Sequence, residues 1–282
     1  MKFLVPAEKA VRRLRNDLLA RLHRFDWFKV VTLVTIKEEI VFVTKQFDDH
    51  RLTFSPYESI GNSLFRQGHY QRDLANRALS IVGTPTGKTL LEIGANIGTH
   101  TVYLTRGGQF ERVICVEPEP RNLLLLKQNL LLNDLADRTT VVECAVGDQE
   151  GVADFYFDDR NYGASSLIKR AGSGAPTSVR VRRVDEILRD LDVSPDDIGL
   201  VWMDIEGAEL AALRSMSNLI ARRVPILLEY APARYEPTQQ AEMVASLTRH
   251  YSRCIVFSGD TQRETDIGDL PAESMHDVLL LP

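Results

Sequence analysis

The segment Thr89-Leu-Leu-Glu-Ile-Gly-Ala-Asn-Ile-Gly-Thr-His-Thr101, followed by Val113-Ile-Cys-Val-Glu-Pro-Glu-Pro120, constrains the fold more than any other part of the chain. A strand-length apolar run ends in an acid and a small-residue turn, a helical stretch follows, and a second apolar run ends in Glu117. Gly94, Ala95 and Gly98 allow the backbone of such a turn to approach a ligand without Cβ clashes. Glu117 stands roughly 20 residues beyond the turn, where a carboxylate can accept both hydroxyls of an adenosine ribose. The pair describes an adenosine-cofactor site at the carboxyl edge of a parallel sheet.

The turn also discriminates between cofactors. A dinucleotide fingerprint, Gly-x-Gly-x-x-Gly, rests a pyrophosphate on a helix N-terminus. Here Asn96 replaces the second glycine, and no glycine follows Gly98 three residues on. Glu92 places an acid beneath the turn, which suits a cationic or zwitterionic ligand better than a pyrophosphate. S-adenosylmethionine (SAM), with its sulfonium and amino-acid head, fits these features, and NAD fits them poorly.

Around this segment the pattern alternates. Strands are expected at 89–93, 113–117, 139–144, 199–204, 224–230, 253–258 and 276–281, with helices at 98–106, 120–132, 184–191, 207–221 and 237–250 between them. Such alternation predicts an α/β fold: a Rossmann-like, doubly wound, mostly parallel seven-stranded sheet with ligands at its carboxyl edge. Upstream, the β-branched runs Val30–Ile36 and Ile40–Thr44 read as short strands, Leu52–Ser55 as a third, and Asp73–Val82 as a helix. Gly172-Ser-Gly-Ala-Pro-Thr177 reads as a surface loop.

The 282 residues carry a net charge of −5, which argues against nucleic-acid binding in general. No apolar run approaches the ~18 residues of a membrane span, and no secretory signal is visible, so a cytoplasmic location is the expectation. Cys115, Cys144 and Cys254 are far apart and read as reduced core thiols. Residues 1–30 hold eight Lys/Arg against three acids, and Val11, Leu14, Leu18, Leu22 and Phe25 recur there at helical spacing. This basic amphipathic helix is expected to pack on its own domain or on a second subunit, which makes a homodimer plausible, with an anionic membrane surface as the lesser alternative.

The motifs together resemble the FkbM family of SAM-dependent methyltransferases, over roughly residues 60–232. The resemblance rests on Leu91-Glu-Ile-Gly-Ala-Asn-Ile-Gly98, Val116-Glu-Pro-Glu-Pro120 with Asn129 and Asn133, Ala145-Val-Gly-Asp148, Gly163-Ala-Ser-Ser-Leu167, Met203-Asp-Ile-Glu-Gly-Ala-Glu209 and Leu228-Glu-Tyr230. It implies the sheet of class I methyltransferases over residues 61–282, with residues 1–60 an N-terminal helical and β extension. It also implies O-methylation of a small molecule, sugar or natural product, with S-adenosylhomocysteine (SAH) as co-product. A Gly-x-Tyr-Glu segment usual in the family appears here as Gly68-His-Tyr-Gln71, with an amide in place of the acid.

Roles follow for individual residues. Glu92, Gly94, Ala95, Asn96 and Gly98 are expected along the methionine half of SAM, with Thr101 bonding its carboxylate or capping the helix. Glu117 is expected on the ribose with Pro118 and Asn122 nearby, and Ala145 and Val146 beside the adenine. Asp204 falls at the carboxyl end of the fourth strand, next to the transferable methyl, and is expected to touch both cofactor and reaction. Glu206 or Glu229 is the expected general base, since no histidine ends either strand. Tyr70, Ser165, Ser166, Glu209 and Tyr230 are candidates for acceptor recognition, although Glu209 could equally complement a helix dipole. Asp204, Glu206 and Glu229 could alternatively ligate a divalent metal, which is not favoured. N-methylation on the same fold, and a SAM-binding partner protein without turnover, stand as rival readings. DNA methylation is disfavoured further because Asp204-Ile-Glu-Gly occupies the place of an Asn/Asp-Pro-Pro-Tyr/Phe segment.

Overall fold

The computed structural model describes residues 18, 21–22, 26–37, 41–158, 161–169, 175–271 and 274–282. Most of the basic amphipathic segment therefore lies outside the described residues, as does much of the 172–177 loop. The chain begins with helix α1 (Asp26–Ile36), strands β1 (Val43–Gln46) and β2 (Arg51–Phe54), and helices α2 (Ser59–Arg66) and α3 (Arg72–Val82). The central alternation is β3 (Thr89–Ile93), α4 (Thr99–Thr105), β4 (Arg112–Val116), α5 (Pro120–Leu132) and β5 (Thr139–Val142). After an insert of β6 (Ala145–Val146), β7 (Gly151–Phe155) and β8 (Thr177–Arg182) come α6 (Val184–Asp190), β9 (Ile198–Met203), α7 (Glu209–Ser215) and α8 (Ser217–Ala221). The chain closes with β10 (Ile226–Tyr230), α9 (Pro237–Thr248), β11 (Arg253–Ser258), β12 (Thr261–Asp266) and β13 (His276–Leu280).

The main sheet runs β12-β11-β13-β10-β9-β3-β4-β5. β5, β4, β3, β9 and β10 are mutually parallel, and β13 is inserted antiparallel between β10 and β11. All seven expected strands are present. β12, largely exposed, is an eighth that folds back on β11 through a turn containing Gly259 at φ +55°. Alternation along each inner strand feeds two cores: in β9, Val201 and Met203 pack on one face of the sheet, and Leu200 and Trp202 on the other. Helices cover both faces, so inner strands such as β3 and β9 are wholly buried, β9 apolar throughout and β3 apolar apart from Thr89 and Glu92.

Order reverses between β3 and β9. From β3 the chain moves outward to β4 and β5, whereas from β9 it moves the other way to β10. The loops that leave these two neighbours diverge, opening a crevice at their carboxyl ends.

Three expectations need correction. Val30–Ile36 is helical, within α1, rather than a strand. β-branching is a weak prior, and Trp27, Val30, Val31 and Val34 recur at helical spacing, which alternation would not give. The strand expected at Ile40–Thr44 is β1, three residues later, and pairs with β2 in a separate hairpin. The single helix expected over 207–221 is broken at Met216 into α7 and α8. The β1–β2 hairpin is fastened to α5 by two amides acting as surrogate strands. Asn129 accepts from the Thr53 N–H at 2.6 Å and donates to its carbonyl at 3.0 Å. Asn133 does the same with Arg51 at 3.0 and 2.7 Å.

Candidate active site

The turn after β3 is built by close approach. Gly94 has φ +82°, and a Cβ there would lie 2.0 Å from the Asp204 carbonyl oxygen, so only glycine lets the ends of β3 and β9 touch. The Gly94 and Ala95 N–H groups donate to the Val116 carbonyl at 2.9 and 3.1 Å, which ties the turn to β4. Asn96, also left-handed at φ +51°, folds its Oδ1 back onto the Ile97 N–H at 2.7 Å, a conformation asparagine tolerates better than most residues. Glu117 completes the knot: Oε2 accepts from the Asn96 N–H at 2.8 Å and Oε1 from the Glu119 N–H at 2.9 Å. Burial pushes its carboxyl up to about 7 despite those bonds.

Two cavities meet at this turn. The first, about 480 Å³ including its open mouth, is walled by Glu117, Pro118 and Asn122 on one side and by Cys144, Ala145, Val146 and Phe155 on another. The second, about 450 Å³, is lined by Ile60, Tyr70, Ala95, Thr99, His100, Asn161 and Glu206. Gly94, Asn96, Gly163 and Asp204 belong to both and form the passage between them.

The insert after β6 roofs the passage. Arg121 stacks on Tyr162 at 4.1 Å and Phe157 at 5.1 Å, and its Nε donates to Glu119 at 2.6 Å. Ser166 Oγ donates to the Glu206 carbonyl at 3.1 Å, linking roof to floor. A Cβ on Gly163 would crowd Ile60, Asn96 and Asn161 at 3.1–3.3 Å, so the roof sits in van der Waals contact with the turn.

The second cavity is rich in charge and in polar atoms without protein partners. Asp204, Glu206 and Glu229 bring one carboxylate oxygen each within 4.8 Å of one another. Arg234 bridges two of them, with Nη2 2.7 Å from Glu206 and Nη1 bonded to Glu229. Burial, then the Glu229 and Glu206 charges, raise the Asp204 carboxyl well above its ordinary range. Burial and the Glu206 charge raise Glu229 to about 7. Asp204 Oδ1, Thr99 Oγ1, His100 Nε2 and Asn161 Oδ1 have no hydrogen-bond partner. Burial lowers His100 to about 4, so its ring, 4.7 Å from Trp202, is neutral.

Most sequence-selected residues gather here, but not all. Gly94, Ala95, Asn96, Glu117, Pro118, Asn122, Ala145, Val146, Ser165, Asp204, Tyr70 and Glu206 line one cavity or both. Glu229 lines a neighbouring open pocket with Gln71 and Asp277. Glu92 and Thr101 are fully buried beneath the turn, bonded to each other, and line neither cavity. Gly98, at φ +83°, starts α4 against Leu126. Glu209 is wholly buried and committed elsewhere: Oε1 accepts from the Ile205 and Gly207 N–H groups at 3.2 and 3.1 Å, and Oε2 from the Tyr235 hydroxyl. It clamps the turn after β9. Ser166 is occupied in the roof, and Tyr230 packs in the core.

Other residues were invisible to sequence reasoning. Arg234 lies in a 3₁₀ turn after β10 that carries no motif, and Ile60 and Asn161 reach the cavity from distant segments. His100 follows the turn, yet only its enclosure in the cavity makes it a candidate.

Comparison with known proteins finds methyltransferases. The methyltransferase sdnD of Sordaria araneosa is 24% identical over 176 residues, which are 53% of this chain and 68% of that protein. The 2-O-methyltransferase NoeI of Sinorhizobium fredii is 25% identical over 157 residues, 50% of this chain and 63% of its own length. The chain thus spans about two thirds of each relative. The solved O-methyltransferase of Bacillus cereus in complex with SAH matches with a TM-score of 0.43 at 15% identity, covering 75% of this chain and 80% of that one. The methyltransferase FkbM domain model matches residues 92–254, from within β3 to the start of β11. That span takes in the β3 turn, the roof and the carboxylate cluster, and the chain belongs to the FkbM family of methyltransferases.

Proposed function

We propose that this chain is a SAM-dependent O-methyltransferase acting on a hydroxyl of a small molecule, sugar or natural product. The observation that carries the reading is the meeting of two cavities at Gly94, Asn96 and Asp204. In this reading the first cavity takes the adenosine. Its ribose hydroxyls donate to the Glu117 carboxylate, whose oxygens keep further lone pairs beyond those used by Asn96 and Glu119. Ala145 and Val146 provide a flat apolar wall for the adenine. The sulfonium occupies the passage beside Asp204, where nearby carboxylate charge favours a cation.

The acceptor hydroxyl enters through the second cavity. Its oxygen attacks the methyl carbon in line as the carbon–sulfur bond breaks, leaving neutral SAH and a proton. Glu206, the carboxylate of the Arg234 pair that faces this cavity, takes that proton. Positioning and exclusion of water by the roof supply most of the acceleration. The name of the relative NoeI favours oxygen as the methylated atom, and a hydroxyl needs the base that the carboxylates offer. The same carboxylates would also hold an amine, so N-methylation is the second reading, separated by an acceptor panel of matched alcohols and amines.

Calorimetry with SAM and SAH tests the cofactor. Micromolar binding, about −8 kcal/mol, is expected for the wild type, with a loss of at least about tenfold in Glu117→Ala as two charge-assisted bonds disappear. Absence of heat with both ligands refutes the reading.

A further inference from the structure

We infer that Thr99 and His100 select the acceptor by binding a second hydroxyl, one that the reaction leaves unmethylated. The inference rests on the reading above, in which the acceptor occupies the second cavity, and adds which acceptors that cavity takes. Both residues line the second cavity, and neither lines the first. They are only 4 and 9% exposed, yet Thr99 Oγ1 and His100 Nε2 have no hydrogen-bond partner in the protein. Enclosed polar atoms are nearly always paired, because an unpaired one forfeits its hydration for nothing. Two of them on adjacent residues of one cavity wall mark a place where a ligand supplies the partner.

The His100 ring is held in place without using Nε2. Its centroid lies 4.7 Å from that of Trp202 and 6.0 Å from that of Tyr70, so aromatic contacts fix the ring. Tyr70 lines the same cavity. Burial, then the charges of Asp204, Asp277, Glu206 and Glu229, hold its hydroxyl protonated and able to donate.

The chemistry of the wall selects the ligand group. Neutral imidazole offers one N–H and one lone pair, and a threonine hydroxyl both donates and accepts. A ligand hydroxyl can therefore pair with either atom, whichever ring nitrogen carries the proton. A carboxylate or phosphate would be repelled by Glu206 in the same cavity. An ammonium set against this uncharged wall would lose its water without gaining a charge partner there. A monohydroxylic acceptor, with its one hydroxyl at the reacting centre, would leave both wall atoms unpaired. A site built to bond a substrate hydroxyl discriminates against the analogue that lacks it, so acceptors with two hydroxyls should be favoured by at least about tenfold in kcat/KM.

Release of SAH from SAM with cis-1,2-cyclohexanediol, 1,3-cyclohexanediol or cyclohexanol as acceptor tests the inference, with SAH calorimetry alongside. At least one diol is expected to be used about tenfold better than cyclohexanol. Thr99→Val, which is isosteric, and His100→Phe, which keeps a ring beside Trp202, should erase that preference. They should do so chiefly by raising KM for the diol, with SAH affinity retained. Thr99→Ser and His100→Gln, which keep a polar atom, should restore most of it. Should His100→Phe fail to fold, the two Thr99 variants carry the test. Equal use of diol and cyclohexanol by the wild type, or no use of either diol by a chain that binds SAH, overturns the inference while the methyltransferase reading stands. So does a preference that survives in folded Thr99→Val and His100→Phe, or a loss in them equal for diol and cyclohexanol, which would mean a packing role alone. Better use of 2-aminocyclohexanol than of either diol overturns it in favour of an ammonium. Absence of heat with SAH in the wild type refutes the underlying reading and the inference with it.

Discussion

Arg234 decides how the carboxylate cluster can work. Three acids so close together repel one another, and either protonation or a cation relieves that repulsion. A divalent metal is one way to supply the cation. Here a guanidinium already bridges Glu206 and Glu229, so the chain carries its own counter-charge where a metal would otherwise sit. Turnover is accordingly expected to survive dialysis against EDTA; loss of activity restored by magnesium would refute this. Arg234→Gln should leave the Glu206 and Glu229 carboxylates without their cation, raising their affinity for protons and displacing the base, and so lowering turnover by at least about tenfold. SAH affinity, measured by calorimetry, should change little, because Arg234 does not line the first cavity. Equal losses of turnover and SAH binding would instead mean that the whole crevice had collapsed. The sequence makes Asp204, Glu206 and Glu229 legible because they fall at strand ends. Arg234 is not legible, because it follows β10 in a 3₁₀ turn and its partners are fixed only by tertiary contact. Glu209 shows the converse: its spacing suggests a site acid, yet the backbone N–H groups of its own turn take it up.

At the scale of elements, the turn between β3 and α4 carries the largest constraint. Gly94→Ala would both force a left-handed φ on a Cβ residue and drive that Cβ to 2.0 Å from the Asp204 carbonyl. The first effect costs about 1–2 kcal/mol and the second about 1–3 kcal/mol. Gly108 is also left-handed, at φ +69°, but a Cβ added there would meet nothing within 4 Å, so it isolates the first effect. Denaturant titration should therefore show Gly94→Ala losing at least ~2 kcal/mol and Gly108→Ala about 1 kcal/mol, with m unchanged. Equal losses would mean that the close approach of β3 to β9 is not what requires glycine. This contrast also explains which elements the sequence reveals. Inner strands buried on both faces have apolar runs broken inside only by Glu92 in β3 and Glu229 in β10, so β3, β4, β9 and β10 stand out. α1 and β12 do not: β-branched residues disguise the helical spacing of the first, and the second, largely exposed, is made of alternating polar and charged residues. The α7–α8 break at Met216 is equally hidden, since the apolar spacing runs through it.

For the whole molecule, the cost of enclosing carboxyl groups in and around the crevice should show as a dependence of stability on pH. Burial raises Glu92 to about 8, and Glu117 and Glu58 to about 7, each from an unfolded value of 4.5. All three are almost wholly enclosed, so solvent screening removes little of the effect. In the folded chain these carboxyls keep protons that the unfolded chain releases above pH 4.5, so they favour folding at low pH, and that contribution fades as pH rises through 7 to 8. Two groups oppose them at lower pH. Burial holds His50 and His100 below 6.5, so folding expels protons that the unfolded chain still binds there, and stability from these two rises until about pH 6.5. Asp49 acts only under still more acid conditions: against the upward push of burial, hydrogen bonds from Arg72 and His50 keep it below the usual carboxylate range. Between about pH 6.5 and 8 these raised acids, joined by Asp204 and by Glu229, itself raised to about 7, all push the same way, and stability should fall by at least about 1–2 kcal/mol per pH unit, at ~1.4 kcal/mol for each proton retained. Saturating SAH should flatten the slope, because ribose hydroxyls donating to Glu117 favour its charged form. Denaturant midpoints across this window, with and without SAH, measure both effects. A flat profile without ligand would mean that these carboxyls are already ionised in the folded chain, and an unchanged slope with SAH would place the ribose away from Glu117.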